Sequence, residues 1–260
     1  MFAFFQRRLS LRRLLPGGVD VHCHLLPGVD DGAADMAAAL EIVRTQQALG
    51  LRGAICTPHI MARYRDNTPA NLRAHFAELC REISAQAPQG SPFQLHLAAE
   101  YMLDEAFPHL LEQPEQLLTI PAHLITGGAS TGSGGNSERK TAAGAAQADR
   151  QGAEADFILV ELPQYLLPEG WLDVVDRIRA CGLRPLLAHP ERYLRTLSEH
   201  DLHDLHAAGL RYQGNLGSLA GIYGPQVQRL ARRLHKARLY TTYGTDAHSA
   251  GMITKMELCA

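Results

Sequence analysis

The sequence lacks a long hydrophobic run and has no excess of charge of either sign. None of its apolar runs approaches the roughly 18 residues that a membrane-spanning helix needs. Its 25 Lys and Arg residues nearly balance its 27 Asp and Glu residues, and the net charge is −2. No global basic field therefore marks the chain as a nucleic-acid-binding protein. These two absences favour a protein that neither spans a membrane nor binds nucleic acid.

The sequence also lacks a Cys-x-x-Cys pair. Its cysteines are odd in number and scattered, which is not the pattern of a disulfide framework. Scattered, unpaired thiols are typical of a reducing compartment, so we expect a cytoplasmic protein. The five residues are Cys23, Cys56, Cys80, Cys181 and Cys259.

Short apolar runs alternate with helical patterns from Val19 onward, within a chain of 260 residues that is long enough for one large domain. This alternation predicts a parallel sheet, open or closed into a barrel. Strands are predicted near Val19–His24, Gly53–Thr57, Gln94–Ala99, Phe157–Leu162, Pro185–Ala188, Leu210–Asn215 and Leu239–Thr242. Helices are predicted near Asp35–Leu49, Pro69–Gln86, Gly170–Cys181, Ser198–Ala208 and Pro225–Lys236.

Two segments stand outside this alternation. Residues 1–18 begin with an apolar stretch and continue with unbalanced arginines, and we interpret them as a loosely ordered basic and apolar arm. The alternative is a short amphipathic segment that touches a membrane surface or an acidic partner. Residues 127–152 are rich in Gly, Ser and Ala and can bury almost nothing, which predicts a flexible insertion.

Imidazole and carboxylate side chains follow the predicted strands at the points where they end. In a parallel barrel the carboxyl ends of all strands meet at one rim, where the loops build the active site. Residues far apart in the sequence should therefore converge there. They are His22 and His24 on the first strand, His59, Glu100, Glu161 and His189 after the next four, Asp246 and His248 after the last, and Asp30 and Asp31 in the first loop.

Several carboxylates in one cleft repel each other unless a cation joins them. Imidazole and carboxylate together suit divalent transition metals. Two or more such ions can hold both oxygens of a displacement at phosphorus and can lower the pKa of a bound water, which provides a hydroxide nucleophile. Each residue alone is typical of a polar strand end, but together they predict a metal site. Other histidines lie in helical patterns and are expected at the surface: His75, His109, His203, His206 and His235.

These motifs resemble the PHP (polymerase and histidinol phosphatase) superfamily. Within it the chain is most similar to bacterial manganese-dependent protein-tyrosine phosphatases of capsule and exopolysaccharide clusters. The matching stretches run in order along the chain: Asp20-Val21-His22-Cys23-His24, Pro27-Gly28-Val29-Asp30-Asp31-Gly32, Thr57-Pro58-His59, Ala99-Glu100-Tyr101, Val160-Glu161, His189-Pro190-Glu191-Arg192-Tyr193, Gln213-Gly214-Asn215 and Thr245-Asp246-Ala247-His248.

The resemblance implies a distorted (β/α)7 barrel of the PHP type over residues 19–260 and a centre of three manganese ions, or of other divalent transition metals. Arg192 would grip the phosphate with its planar fork of donors, and Asp246 and His248 are assigned to catalysis as well as to metal binding. The implied ligand sets are His22, His24, Glu100 and Asp246 for the first ion, Asp31, His59 and His248 for the second, and Glu100, Glu161 and His189 for the third, with Glu100 bridging.

The substrate implied by the resemblance is phosphotyrosine on a tyrosine autokinase, a polysaccharide co-polymerase that controls capsule or exopolysaccharide synthesis. Two other functions stay open: a phosphatase of small molecules such as histidinol phosphate, and a metal-binding regulatory protein with little turnover. Cysteine-dependent tyrosine phosphatase chemistry is disfavoured, because no cysteine has an arginine six positions later. The resemblance also implies a further arginine-containing loop and helix after His248, so the C-terminus is expected to be truncated.

Overall fold

The computed structural model describes residues 13–15, 18–86, 93–126 and 155–259. The predicted insertion at 127–152 and most of the predicted N-terminal arm lie outside these ranges. Of the arm's described residues, Leu15 is buried and belongs to the main hydrophobic core.

The described residues form nine strands, and every strand pair is parallel. All seven predicted strands are confirmed, with ends that differ by at most two residues from the prediction. The two strands that were not predicted, β3 and β5, have only two and three residues. The strands are β1 (Val19–Cys23), β2 (Gly53–Cys56), β3 (His59–Ile60), β4 (Gln94–Leu97), β5 (Glu100–Met102), β6 (Phe157–Glu161), β7 (Arg184–Ala188), β8 (Arg211–Asn215) and β9 (Tyr240–Gly244).

The strands form two sheets, and two strands of the first sheet continue directly into the second. One sheet has the order β1-β2-β4 and the other has the order β3-β5-β6-β7-β8-β9. Only two residues separate β2 from β3, and two separate β4 from β5, so these strands continue from the first sheet into the second. At the other edge, Cys23 forms a parallel bridge with Ala247, and the Asp246 N–H donates to the His22 carbonyl at 2.7 Å. The first strand therefore lies beside the segment that follows the last.

Helices connect the strands and cover the outside of the sheets. Their described members are α1 (Met36–Ala48), α2 (Pro69–Gln86), α3 (Phe107–Leu110), α4 (Ala122–Thr126), α5 (Trp171–Ala180), α6 (Glu199–Ala207), α7 (Leu216–Ala220), α8 (Pro225–Lys236) and α9 (Ala250–Cys259). The five predicted helices are confirmed. Asp35 caps the start of α1, since its carboxylate accepts from the Ala38 N–H at 2.9 Å. The prediction missed α3, α4 and α7, which have five residues or fewer, and α9. Among the described helices, none is long and apolar enough to cross a membrane.

Alternation along the strands separates two apolar clusters. On β6, Ile158 and Val160 join the large cluster between strands and helices, whereas Phe157 and Leu159 join a smaller cluster. Glu161 is two residues after Leu159, so its side chain points to the same face of β6 as the smaller cluster, at the end of the strand. The smaller cluster is buried. We call the set of strand ends with their following loops the carboxyl-end rim.

Candidate metal centre

The structure brings all nine residues that the sequence suggested as metal ligands together at the carboxyl-end rim. Within the described ranges, three overlapping groups have ligand atoms that lie within 4.8 Å of one another. The groups are His22, His24, Glu100 and Asp246; His24, Asp31, His59 and His248; and His59, Glu100 and Glu161. The first equals a predicted ligand set, and the second contains one. In the third, His59 stands where the prediction has His189, whose Nε2 lies 3.1 Å from Glu100 Oε1 and 3.6 Å from Glu161 Oε1.

Glu100 lies at the middle of the cluster. Its Oε2 atom is 3.3 Å from the Nε2 atoms of both His22 and His24, and 3.2 Å from His59 Nδ1. The Asp246 Oδ1 atom faces the same two Nε2 atoms at 3.4 and 3.3 Å. These side chains are buried, so their charges are poorly screened by water.

Three of the histidines are oriented by an oxygen acceptor at Nδ1. His22 Nδ1 lies 2.9 Å from Gln213 Oε1, His24 Nδ1 lies 2.9 Å from Asp30 Oδ2, and His248 Nδ1 lies 3.0 Å from the Asp246 carbonyl. Since these partners only accept, each Nδ1 carries a proton, and each ring in its neutral form would offer a lone pair at Nε2. Such bonds are the usual way in which proteins orient metal-binding histidines.

The geometry fits bound cations. The Nε2 atoms of His22 and His24 are 3.3 Å apart, and in the neutral rings both would direct lone pairs at each other and at carboxylate oxygens. Three buried atoms of the cluster have no hydrogen-bond partner: Glu100 Oε2, His59 Nδ1 and His189 Nδ1. Buried polar atoms are rarely left unpaired in proteins. Imidazole and carboxylate donors in this arrangement match the ligands of divalent transition metals.

In the metal-free cluster, the proximity of the buried groups shifts their pKa values. Burial opposes a charged His24, but the facing carboxylates of Asp246, Asp30 and Glu100 outweigh it and hold the His24 pKa well above its usual value. Burial and the neighbouring Glu100 carboxylate raise the pKa of Glu161 well above its usual range. Burial also opposes ionisation of Glu100, yet His22 and His59 keep its pKa well below the usual value. Metal binding would therefore have to displace protons from His24 and Glu161.

The two carboxylate oxygens of Asp246 have different neighbours. Its Oδ2 atom accepts from Arg192 Nη1 at 2.6 Å and from Asn215 Nδ2 at 3.1 Å, which leaves Oδ1 for the cluster. The Asp246 backbone has φ 52°, and His189 has φ 33°. The left-handed region is uncommon for residues other than glycine, and such strain often marks functional sites.

Arg192 lies at the edge of the cluster, where the sequence placed a phosphate-binding group. One arm of its guanidinium binds Asp246, and the guanidinium carbon is 4.8 Å from the centre of the Tyr223 ring. Glu191 is not its partner, because the Glu191 carboxylate accepts from the Asn215 N–H at 3.0 Å and from the Tyr240 hydroxyl at 2.8 Å. The role of Arg192 in phosphate binding stays a prediction.

Sequence reasoning assigned no role to several residues that orient the cluster. Gln213 and Asn215 belong to the matching stretch Gln213-Gly214-Asn215, but their hydrogen-bond partners could not be predicted from it, because these contacts depend on the tertiary fold. Asp20 is buried and accepts from Gln46 Nε2 at 2.7 Å and from the Thr245 N–H at 2.9 Å, which ties β1 to the segment after β9. Its pKa is raised to about 6, chiefly by burial.

The other expectations about histidine and cysteine are partly confirmed. Three histidines expected at the surface are exposed: His75, His109 and His203. The expectation is wrong for His206 and His235, which are half-buried, because their rings pack against Tyr212 and Tyr243. Among the described cysteines, four are free thiols, and burial raises the pKa of both Cys23 and Cys56, which makes them poor nucleophiles.

Comparison with known proteins gives concordant matches. A family model described as capsular polysaccharide synthesis, CpsB/CapC, matches residues 18–123 and 144–260. The chain is 28% identical over 238 residues to the tyrosine-protein phosphatase YwqE of Bacillus subtilis (strain 168), a match that covers 89% of this chain and 77% of YwqE. It is 23% identical over 232 residues to the putative tyrosine-protein phosphatase CapC of Staphylococcus aureus, with the same coverage.

The fold is similar to a chain from the crystal structures of YwqE from Bacillus subtilis and CpsB from Streptococcus pneumoniae, which are described as unique metal-dependent tyrosine phosphatases. The TM-score is 0.69 at 26% sequence identity, and the match covers 92% of this chain and 84% of that one.

Proposed function

The chain belongs to the CpsB/CapC family of capsular polysaccharide synthesis proteins, and on that premise we propose that it is a metal-dependent phosphotyrosine-protein phosphatase. The observation that carries the proposal is the buried cluster around Glu100, whose orphaned oxygen lies among three imidazoles. YwqE, a relative by sequence and by fold, is named a tyrosine-protein phosphatase, which agrees with this chemistry.

The proposed centre holds three Mn²⁺ ions in the ligand sets given by the resemblance. His22, His24, Glu100 and Asp246 would hold the first, Asp31, His59 and His248 the second, and Glu100, Glu161 and His189 the third. The proximity of their ligand atoms supports the first two sets directly. When bound, such ions supply an activated water and neutralise charge on a phosphoryl group.

The residues at the open side of the cluster would receive the phosphate. Asp31 is 52% exposed and His248 is 28% exposed at their side chains, whereas the other ligands face inward. Arg192 is 19% exposed and has one arm on Asp246, so its remaining N–H groups are available to bind a phosphate oxygen. Asp246, in turn, keeps Oδ1 directed at the cluster while Arg192 and Asn215 hold Oδ2.

The proposal extends to the architecture and to the biological substrate. The bridge between Cys23 and Ala247, and the continuation of β2 into β3 and of β4 into β5, support a closed, distorted (β/α)7 barrel of the PHP type. The family's role in capsular polysaccharide synthesis supports a tyrosine autokinase of that process as the phosphoprotein and partner. The scattered, unpaired cysteines support a location in the cytoplasm. The arm proposed to bring the protein near a membrane lies mostly outside the described residues.

Hydrolysis of a phosphotyrosine peptide by the metal-stripped protein, before and after addition of Mn²⁺, tests the proposal. We expect no turnover in the stripped protein, restored turnover with Mn²⁺, and a clear preference for the peptide over histidinol phosphate. Cys56→Ser should keep the activity, whereas Glu100→Ala should lose nearly all of it. Activity that survives in protein shown to be metal-free, or a metal-loaded protein that hydrolyses no phosphate ester, would refute the proposal.

A further inference from the structure

A pocket lies beside the metal centre, between the loop that follows β3 and the short helix α3. Its volume is about 270 Å³, and its walls are largely carbon, contributed by Ile60, Met61, Met102, Phe107 and Leu110. A cavity of about 150 Å³ is enough to hold a benzene ring. The pocket therefore has room for one large apolar side chain, and methionine walls adapt readily to its shape.

The pocket shares a wall with the proposed centre. The Tyr64 ring lies on the pocket side and stacks on the His59 ring, with centroids 6.0 Å apart and planes 8° from parallel. Asn67, another lining residue, donates to the His59 carbonyl at 2.7 Å. A ligand in the pocket would therefore sit one aromatic ring away from His59.

Hydrogen bonds hold the pocket in shape. The Asp104 carboxylate accepts from the Ala62 N–H at 2.8 Å on one side, and from the Ala106 and Phe107 N–H groups at 3.0 and 3.2 Å on the other. One side chain thus ties the loop after β3 to the start of α3. A pocket that is formed in advance loses little conformational entropy when a ligand binds.

The charged groups around the pocket are mixed in sign. Arg65 lines the pocket, and the Arg63 guanidinium carbon lies 5.3 Å from the centre of the Tyr64 ring. The Asp104 carboxylate also lines the pocket and offsets the charge of Arg65, so the lining has no excess of cations and its apolar walls decide what it binds. A phosphotyrosine polypeptide bound at the proposed centre would place the neighbour of its phosphotyrosine beside these walls, because Tyr64 lies between the pocket and His59.

We propose that this pocket binds an apolar side chain that flanks the phosphotyrosine in the substrate polypeptide. The inference rests on the proposed phosphatase function and makes the pocket a determinant of sequence preference. The aryl phosphate itself needs only the metal centre and Arg192, so the pocket should affect peptides and not small esters.

Kinetics on three substrates test this inference in the Mn²⁺-loaded protein. The substrates are para-nitrophenyl phosphate, a phosphotyrosine peptide with leucine at the flanking positions, and the same peptide with glycine there. We expect the wild type to prefer the leucine peptide by about 10-fold in kcat/KM, the scale on which apolar pockets discriminate. Ala106→Trp, which fills the pocket from an exposed lining position, should abolish that preference and leave hydrolysis of para-nitrophenyl phosphate unchanged.

Ala62→Trp fills the pocket from the opposite wall and provides a second variant should the first fail to fold. Ala207→Trp, at an exposed position at the end of α6, is the matched control and should behave as the wild type. The inference would be overturned if the wild type did not prefer the leucine peptide, or if both tryptophan variants kept that preference. An equal loss of kcat/KM on all three substrates in these variants would also overturn it. Failure of the wild type to hydrolyse any of the three would instead refute the phosphatase function.

Discussion

At the scale of single residues, the position of Asp246 depends on neighbours that do not touch the rest of the cluster. Asn215 donates to Asp246 Oδ2, and Asn215 is itself fixed, because its N–H donates to Glu191 and its Oδ1 accepts from the Ser218 N–H at 3.1 Å. Groups that orient metal ligands in this way commonly change metal affinity by about 10- to 100-fold when they are removed. Asn215 is therefore a positioning residue, and its contribution can be separated from that of Arg192.

Asn215→Ala should weaken Mn²⁺ binding about 10-fold, since Asp246 would lose one of its two anchors. Titration calorimetry of the stripped protein measures the affinity directly, without reference to turnover. Asn71→Ala, at an exposed asparagine on α2, is the control and should leave the affinity unchanged. Wild-type affinity in a folded Asn215→Ala protein would show that Arg192 alone is sufficient to hold Asp246.

Arg192→Lys should raise KM for para-nitrophenyl phosphate and lower kcat/KM by about 10-fold or more. Lysine keeps the charge but cannot bind Asp246 and a phosphate oxygen at once through a planar fork. The neighbouring exposed residue provides the control, because Arg195→Lys should be neutral. Unchanged kinetics for Arg192→Lys would limit this arginine to a structural ion pair with Asp246.

At the scale of elements, the contact between β1 and the end of β9 controls the geometry of the centre. Gly244 ends β9 directly against β1, and a Cβ atom built on Gly244 would lie 2.6 Å from His22 Cβ and 2.9 Å from the His22 nitrogen. The two strands can approach this closely only because residue 244 has no side chain. The same contact places His22 opposite Asp246, so packing between the strands and assembly of the metal site are linked.

Gly244→Ala should therefore displace His22, with a loss of about 1–3 kcal/mol in the free energy of unfolding and weaker Mn²⁺ binding. Gly251→Ala is the matched control, because its added Cβ would meet only the Ser249 hydroxyl at 4.0 Å and it lies within α9. Alanine in a helix is more favourable than glycine by up to about 1 kcal/mol, so this control should be neutral or stabilising. Chemical denaturation and metal titration of both variants measure the difference. Equal behaviour of the two variants would contradict the proposed link.

At the scale of the whole molecule, the centre joins strands from both sheets, so ions bound there would connect distant parts of the chain. Ligands from β1, β5 and β6 and from the segment after β9 meet around Glu100. A ligand that binds only the folded state stabilises it in proportion to the logarithm of its concentration. Metal binding and folding stability should therefore rise and fall together.

Mn²⁺ should raise the Tm of the stripped protein, and by more at pH 8 than at pH 6. The raised pKa values of His24 and Glu161 mean that both groups retain protons in the metal-free protein, and these protons must leave before the ions bind. Raising the pH removes this competition, so binding strengthens as the pH increases. Thermal unfolding with and without Mn²⁺ at the two pH values provides the check. An equal or larger shift at pH 6 would contradict this account of the cluster.

The residue types of the site and most of the sheet follow from the sequence pattern alone. Alternation of apolar runs with helical patterns was sufficient for seven strands and five helices, because each has enough residues to show its own period. The shared direction of parallel strands then placed His22, Glu100, Glu161 and Asp246 at one rim without knowledge of any contact. Very short elements such as β3 and α3 have no such period, and they form because neighbouring strands and loops hold them in place.

The way in which each side chain of the site is held depends on contacts between distant parts of the chain. Hydrogen bonds such as those from His22 to Gln213, from Arg192 to Asp246 and from Asn215 to Asp246 join residues that are between 31 and 191 positions apart. Likewise, the grouping of His59 with Glu100 depends on the parallel pairing of β3 with β5. A sequence pattern indicates which side chains lie at the end of a strand. The distances and angles between their ligand atoms are set by packing around the whole sheet. The local pattern therefore predicted the chemistry, and the fold determined its geometry.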